Sequence, residues 1–272
     1  MFQKLKKMFA IILIVCLLPY IITVFMNGRE TVSAQVSMLD DYCIRALAQE
    51  VSSDYEDEML KVQAVIVRTT IYQKAEELLA QENLPVSETE SELDNNSSWY
   101  QRLRRAWNET EGQVLMYGEE LALLPFHYLS NGKTRSGQEV LQSESYPYLQ
   151  VRECLKDIEA EEQLQTKMIA ITNAEVVEKD SAGYVLQVKV GEEVQSGEEF
   201  RDIHGLASGC FELQSFTEAT RVTTKGIGHG LGLSQYSANE MAKEGKSYKD
   251  ILNFFYEGTN LQEVAEILWN TE

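Results

Sequence analysis

The sequence predicts an α+β fold, with a transmembrane helix placed ahead of one mixed helix/strand domain that carries a substrate groove. Three observations carry the prediction. Apolar residues recur at helical spacing between about residues 40 and 80, and short β-like runs broken by turn residues begin near Thr110. Helices first and strands later indicate α+β rather than a wound βαβ sheet. No repeat with a period of roughly 20–50 residues is present, which argues against a solenoid. A chain of 272 residues, 44% of them apolar and only four of them Pro, can bury a sizeable core in one or two domains.

The N-terminal run Met8 to Met26 carries no charge and spans about 19 residues, enough for one crossing of the hydrocarbon core. Lys4, Lys6 and Lys7 precede it, and the chain turns acidic after it. The positive-inside rule therefore leaves the N-terminus in the cytoplasm and everything beyond about residue 28 outside. Pro19 lies mid-span, which transmembrane helices tolerate. A cleaved signal peptide is the competing reading, with Val32, Ser33 and Ala34 as the cleavage site, although the apolar run is longer than a usual signal core. Cys16 follows Val15 rather than a small residue, which argues against a lipoprotein signal. The expected division is therefore 1–34 as cytoplasmic stub, anchor and linker, and 35–272 as the extracytoplasmic domain at the cell membrane.

A formal charge of −19 excludes nucleic acid, whose phosphates would be repelled. It also disfavours peripheral binding to an anionic membrane surface, and it leaves neutral sugars open. Cys16, Cys43, Cys154 and Cys210 stand far apart with no CxxC pair, so neither a disulfide framework nor a zinc finger is implied, and buried free thiols are expected.

Along the exported part, a first helix is predicted from Asp40 to Glu50, with Tyr42, Cys43, Ala46 and Leu47 on one face. Ser52, Ser53 and Asp54 break it and offer a new N-cap, with Glu56 to Glu58 in the following first turn. The second helix carries Met59, Val62, Ala64, Val65, Val67 and Ile71, and its middle is apolar almost all round, as a buried helix would be. Gln63 and Arg68 within that wall need partners. Residues 83–98 read as a solvated loop. Gln113 to Tyr117, the Gly118 turn and Leu121 to Tyr128 read as a hairpin, followed by a turn at Ser130 to Thr134. Further strands are expected at Ile169 to Ile171, Tyr184 to Val190 and Cys210 to Phe216, with Phe200 to Ile203 strand-like. Helices return at about Gln235 to Glu244 and Tyr248 to Tyr256.

The most unusual segment is Gly226-Ile-Gly-His-Gly-Leu-Gly232, followed by Leu233, Ser234, Gln235 and Tyr236. Glycine at alternate positions either lets backbone approach a ligand closely or supplies positive φ. The string is neither GxxxxGK[ST] nor a GxGxxG placed after a strand in a βαβ unit, so nucleotide binding is disfavoured. The bland alternative is a glycine-rich turn entering a helix. His229 with Ser234, Gln235 and Tyr236 raises it above that, as a polar cluster suited to a sugar ring. His127, His204 and His229 are the only histidines, and without HExxH-type spacing a zinc site is a minority reading. No cofactor is expected.

The run Tyr42 to Val51 with Glu50, followed by Met59 to Thr69, resembles the N-terminal motif of the stage II sporulation protein D family and its amidase-enhancer relatives. Glu109 to Leu115 and Phe126 to Thr134 resemble the family's middle segments. Lys225 to Gln235, Met241 to Tyr248 and Phe255 to Thr259 resemble its C-terminal signature. The matches run from about residue 38 to 262. The resemblance implies a lytic transglycosylase acting on glycan strands stripped of stem peptides during engulfment, with Glu50 as the single catalytic acid/base. Helix pattern alone would read Glu50 as an exposed carboxylate near a helix end. Candidate substrate-binding residues are Gln63, Arg68, His127, Ser130, Gly228, His229, Gly230, Ser234, Gln235 and Tyr236, with Arg68 open to a structural or a substrate-positioning role. The resemblance also implies peptidoglycan glycan as ligand and stage II sporulation proteins M and P as partners. Some relatives bind zinc near the segment equivalent to His127 through cysteines that this sequence lacks, Cys154 being nearest. Gln49, Leu129 and Tyr236 to Asn239 depart from the family pattern. The alternatives to an enzyme are a glycan-binding module that activates a partner amidase, and a membrane-complex scaffold.

Overall fold

The computed structural model describes residues 41–74, residue 94 and residues 97–263. The predicted span Met8 to Met26, its flanks and the cleavage-site alternative lie outside the described residues, as does most of the loop 83–98. Among the described residues no helix is long and apolar enough to cross a membrane.

Residues 41–50 are helical (α1) and end on Glu50. The second helix, α2, runs Asp57–Gln73 and is buried on nearly every side from Met59 to Ile71, as its unbroken apolar middle requires. Its cap differs from expectation. Ser52 to Asp54 form a turn, and Glu56 occupies the N-cap without a side-chain bond. The Glu56 N–H, which a local cap would leave free, donates instead to Asn239 Oδ1 at 2.8 Å. A helix not anticipated from sequence, α3 (Ser98–Glu109), packs on α2 through Tyr100, Leu103, Ala106 and Trp107. Ser97 caps it by accepting from the Tyr100 N–H.

The expected hairpin is only half formed. Strand β1 (Gln113–Tyr117) pairs with a two-residue β2 (Glu120–Leu121) and, on its other edge, with the C-terminal β11 (Asn260–Glu263). After Ala122 the chain leaves the sheet. Pro125 cannot donate to a ladder, and its carbonyl accepts from Leu233 N–H and Tyr256 Oη instead. Phe126–His127 (β3) then pairs in parallel with β10 (Leu233–Ser234), far along the sequence. The first core lies under these elements. It joins Leu47, Met59, Leu60, Val62 and Ile66 to Leu103, Trp107, Leu233 and Ala238. Helices α6 (Gln235–Lys243) and α7 (Tyr248–Phe255) close it.

A second, smaller core lies between two three-stranded sheets. Strands β4 (Leu164–Ile169), β8 (Phe211–Ser215) and β9 (Thr220–Lys225) form one, in the order β4-β9-β8. The other is β5 (Ala174–Lys179), β6 (Val185–Val190) and β7 (Glu193–Ser196), in sequence order. Ile169, Val185, Val188, Phe200, Leu206, Phe211 and Val222 fill the space between them. Phe200 belongs to helix α5 (Gly197–His204), so the strand-like reading of 200–203 is corrected. Ser196 caps that helix on Glu199 N–H, Glu198 and Glu199 fill its first turn, and Gly205 ends it in the left-handed region at φ 53°. One short helix, α4 (Gly137–Leu141), bridges the two halves.

Candidate active site

Two buried networks place the site. In the first, Asp157 is fully buried and accepts from the Ser130 N–H at 2.8 Å, Ser234 Oγ at 2.7 Å and Ser237 Oγ at 2.6 Å. No cation pairs with it among the described residues. The hydroxyls and the N-terminal end of α6 replace water around the charge. Burial nonetheless pushes the Asp157 carboxyl above its ordinary value, against the opposing pull of those hydrogen bonds. The effect is to pin the turn at Ser130 and the start of α6 to one point. Sequence reading named Ser130 and Ser234 as substrate contacts. Both are fully buried and face Asp157, so direct contact with a glycan is excluded in this conformation. Asp157 carries no motif of its own and was missed.

The second network is the glycine string. Gly226, Gly228, Gly230 and Gly232 all have positive φ, between 74° and 111°. A Cβ on Gly232 would lie 1.9 Å from the Pro125 carbonyl oxygen, and one on Gly230 would lie 2.2 Å from the Tyr184 ring. The space the glycines leave is therefore taken by the protein itself. The string is bonded on both sides, with Ile227 to Leu129 in both directions, Arg135 N–H to the Gly230 carbonyl and Gly209 N–H to the Gly228 carbonyl. Of the alternatives open at the sequence level, positive φ and tight internal packing are what the geometry uses.

This strap delivers Gln235 and Tyr236 to the end of α1. The Gln235 side chain is 6% exposed. Its Nε2 donates to the Glu50 backbone carbonyl at 2.7 Å and reaches Gln63 Oε1 at 3.5 Å, while its Oε1 accepts from Tyr55 Oη at 3.5 Å. Tyr236 N–H donates to the Tyr128 carbonyl at 3.0 Å, which sets these two half-buried tyrosines side by side. Asp54 and Glu162 lie close enough to Tyr128 to raise its hydroxyl pKa, after burial itself. Glu50, Asp54, Tyr128 and Tyr236 thus share one region. Asp54, Tyr55 and Tyr128 were not singled out as site residues from sequence, Asp54 being read as a cap and Tyr128 standing unmarked inside the segment Phe126 to Thr134.

Glu50 reaches solvent at its surface, yet protein atoms crowd its carboxyl enough that desolvation raises it above its ordinary value. The carboxyl is therefore wet on one side and covered on the other. Among the described residues no cation pairs with that carboxyl. Arg68, the obvious rival partner, is 1% exposed and turned elsewhere. Its Nη1 donates to the Thr110 and Gln113 carbonyls at 2.7 and 3.2 Å and its Nη2 to the Trp107 carbonyl at 2.9 Å. The guanidinium also lies 3.7 Å from the Trp107 ring centroid. It caps the C-terminus of α3, which gives it the structural of its two possible roles. Gln63 is likewise fully buried and meets Gln235 rather than solvent.

His127 and His229 come together, with ring centroids 5.7 Å apart. Burial, then the neighbouring His229, hold His127 down to about 3, and burial lowers His229 as well. Both are neutral at pH 7. His229 Nδ1 accepts from the Leu231 N–H, and His127 Nδ1 lies 3.2 Å from the Leu231 carbonyl. His204 sits apart, against Phe200 in the second core. Cys154 is buried among Ser130, Ser237 and Asp157, its thiol pushed up to about 12. Among the described residues no three His, Cys, Asp or Glu gather as a metal ion would need. Cys154 and Cys210 are free and buried, and Cys43 is buried.

A cleft of about 730 Å³ opens elsewhere, beside α4 and α5. Arg135, Glu139, Gln187 and Glu198 help to line it, and none of its lining residues is one expected to bind substrate.

Fold and site together describe an α+β domain with a partly desolvated carboxyl at the end of a helix. The comparisons narrow the class. Residues 27–117, which include Glu50, Gln63 and Arg68, match the family model described as stage II sporulation protein. The chain is 28% identical to stage II sporulation protein D of Bacillus subtilis (strain 168) over 288 residues, covering 92% of this chain and 81% of that protein. It is 28% identical to the protein of the same name from Bacillus amyloliquefaciens, covering 85% of this chain and 76% of that one. A more distant relative, named amidase enhancer in Bacillus subtilis (strain 168), is 25% identical over 79% of this chain and 39% of its own length. Residues 27–117 therefore match the SpoIID family model, and over most of its length the chain is similar to stage II sporulation protein D.

Proposed function

We propose that this chain is a lytic transglycosylase that cleaves peptide-free peptidoglycan strands during spore engulfment, with Glu50 as its single acid/base. In this reading the anchor Met8 to Met26 holds residues 35–272 outside the cell membrane, beside stage II sporulation proteins M and P. The observation that carries it is the state of Glu50. It is open to solvent, free of any cationic partner among the described residues, and pushed by desolvation toward the protonated form.

The chemistry follows from one carboxyl. Protonated Glu50 gives its proton to the glycosidic oxygen as the C1–O bond breaks through an oxocarbenium-like state. The resulting carboxylate then takes the proton of the substrate's own C6 hydroxyl, whose oxygen bonds C1. The products are a 1,6-anhydro end and a free 4-hydroxyl, no water enters, and Glu50 is restored. Ordinary glycosidases instead need a second carboxylate at a defined separation. Tyr128 and Tyr236 offer amphipathic ring faces for the sugar.

The relative named amidase enhancer favours a second reading, a non-catalytic module that binds glycan and activates a partner amidase. Incubating the full chain in detergent with peptide-free glycan and weighing the products separates the two. Anhydro ends that vanish in Glu50→Gln support the transglycosylase. Reducing ends carrying added water indicate a hydrolase, and uncut glycan retained by the protein indicates the binding module.

A further inference from the structure

We infer that Gln235 is a positioning residue for Glu50, holding the end of α1 in place through the Glu50 main chain rather than touching substrate. The inference rests on the role of Glu50 proposed above. Glu50 is the last helical residue of α1, and its carbonyl is one of those a helix end leaves without an internal partner. Among the described residues no neighbour in sequence bonds that carbonyl. The donor comes from 185 positions away, as the Gln235 amide at 2.7 Å.

Gln235 is itself over-determined. Its backbone opens α6, whose N-cap Ser234 is fixed on Asp157, and its side-chain oxygen and nitrogen meet Tyr55 and Gln63. The whole glycine strap, wedged against Pro125, Tyr184 and Leu129, sets where that backbone lies. The amide is buried and directed at protein, so a glycan bound at the Glu50 carboxyl would not meet it. A buried amide bonded to the main chain of the acid/base fixes where the carboxyl pivots. Misplacing a reacting group by about 1 Å can cost on the order of 100-fold in rate.

The test is a steady-state comparison of wild type, Glu50→Gln and Gln235→Met on peptide-free glycan, with the full chain in detergent and well below each thermal midpoint. Methionine matches the length of glutamine and removes the donor. We expect Gln235→Met to lower kcat by about 10- to 100-fold while KM stays within about twofold. Unchanged kcat with raised KM would make Gln235 a substrate contact and overturn the inference, as would unchanged kcat and KM together. If Gln235→Met does not fold, Gln235→Glu keeps the shape, lacks the donor at neutral pH, and carries the same expectation. Residual cleavage in Glu50→Gln would sink the role of Glu50 itself. Loss there with an unaffected Gln235→Met would sink only the positioning role, and a wild-type chain that cuts nothing would sink both.

Discussion

At the scale of single residues, Glu50 and His127 show the same physics with opposite charge, and each sets a pH signature. Desolvation raises Glu50, so the folded state binds its proton more tightly than the unfolded chain does. That stability is present below the ordinary carboxylate pKa of 4.5 and is lost as pH rises through the folded value. Glu50→Gln removes the penalty. The variant should therefore melt at or above the wild-type temperature at pH 7, and the difference should shrink toward pH 4 in thermal scans. A variant clearly less stable than wild type at pH 7 would show that Glu50 holds the fold together. His127 runs the other way. Its pKa is held down to about 3 from 6.5, so its contribution is intact above 6.5 and is lost as pH falls toward 3. Scans between pH 7 and 4 should show the wild-type midpoint falling more steeply than that of His127→Gln, whatever their offset at pH 7.

Secondary-structure elements are joined here by the glycine strap rather than by large sheets. Gly232 and Gly245 separate its two demands. Both have positive φ, 74° and 86°, but an added Cβ meets the Pro125 carbonyl at 1.9 Å in the first case and open space in the second. Gly245→Ala should cost about 1–2 kcal/mol, the strain of a left-handed backbone alone. Gly232→Ala adds a backbone clash that no rotamer relieves, and it should cost about 3 kcal/mol or more, or prevent folding. Chemical denaturation of the two variants tests this, and equal costs would mean that β3 and β10 yield easily. Because the strap carries Gln235, Gly232→Ala should also lower activity.

For the molecule as a whole, the β-sheet half is tied to the helical half at Arg135. Its side chain is 2% exposed, with Nε on Asp180 at 2.6 Å and Nη1 on Glu198 at 2.6 Å and on the His229 carbonyl at 3.1 Å. Asp180 has a fully buried side chain. Arg135→Met would leave that carboxylate without its cation, and breaking a buried pair from one side costs about 3–5 kcal/mol. Restoring neutrality with Arg135→Met and Asp180→Asn together should return part of the loss. Double-mutant denaturation measures it, and additive losses would mean that the pair is not coupled. The bond to the His229 carbonyl means that loosening Arg135 should also disturb the strap.

By itself the sequence determined the helical stretch ending on Glu50, the buried α2, the two C-terminal helices and the family resemblance, because helical periodicity and local motifs are short-range signals. It pointed to the segment 226–236 as unusual, and the resemblance alone singled out Glu50. Only the tertiary structure decided what packs around those places. Helix α3 and strands β5, β7 and β9 escaped notice, the last three because short, mostly polar strands have no period strong enough to read. The half-formed hairpin and the parallel β3–β10 pair depend on contacts more than 100 residues apart. Asp157 and Arg135 carry no pattern, since their importance lies in burial and in who faces them. Whether a glycine serves a ligand or a neighbour, and whether a glutamine touches substrate or a main chain, depends on which atoms fill the adjacent space. Spacing along a chain holds no record of that.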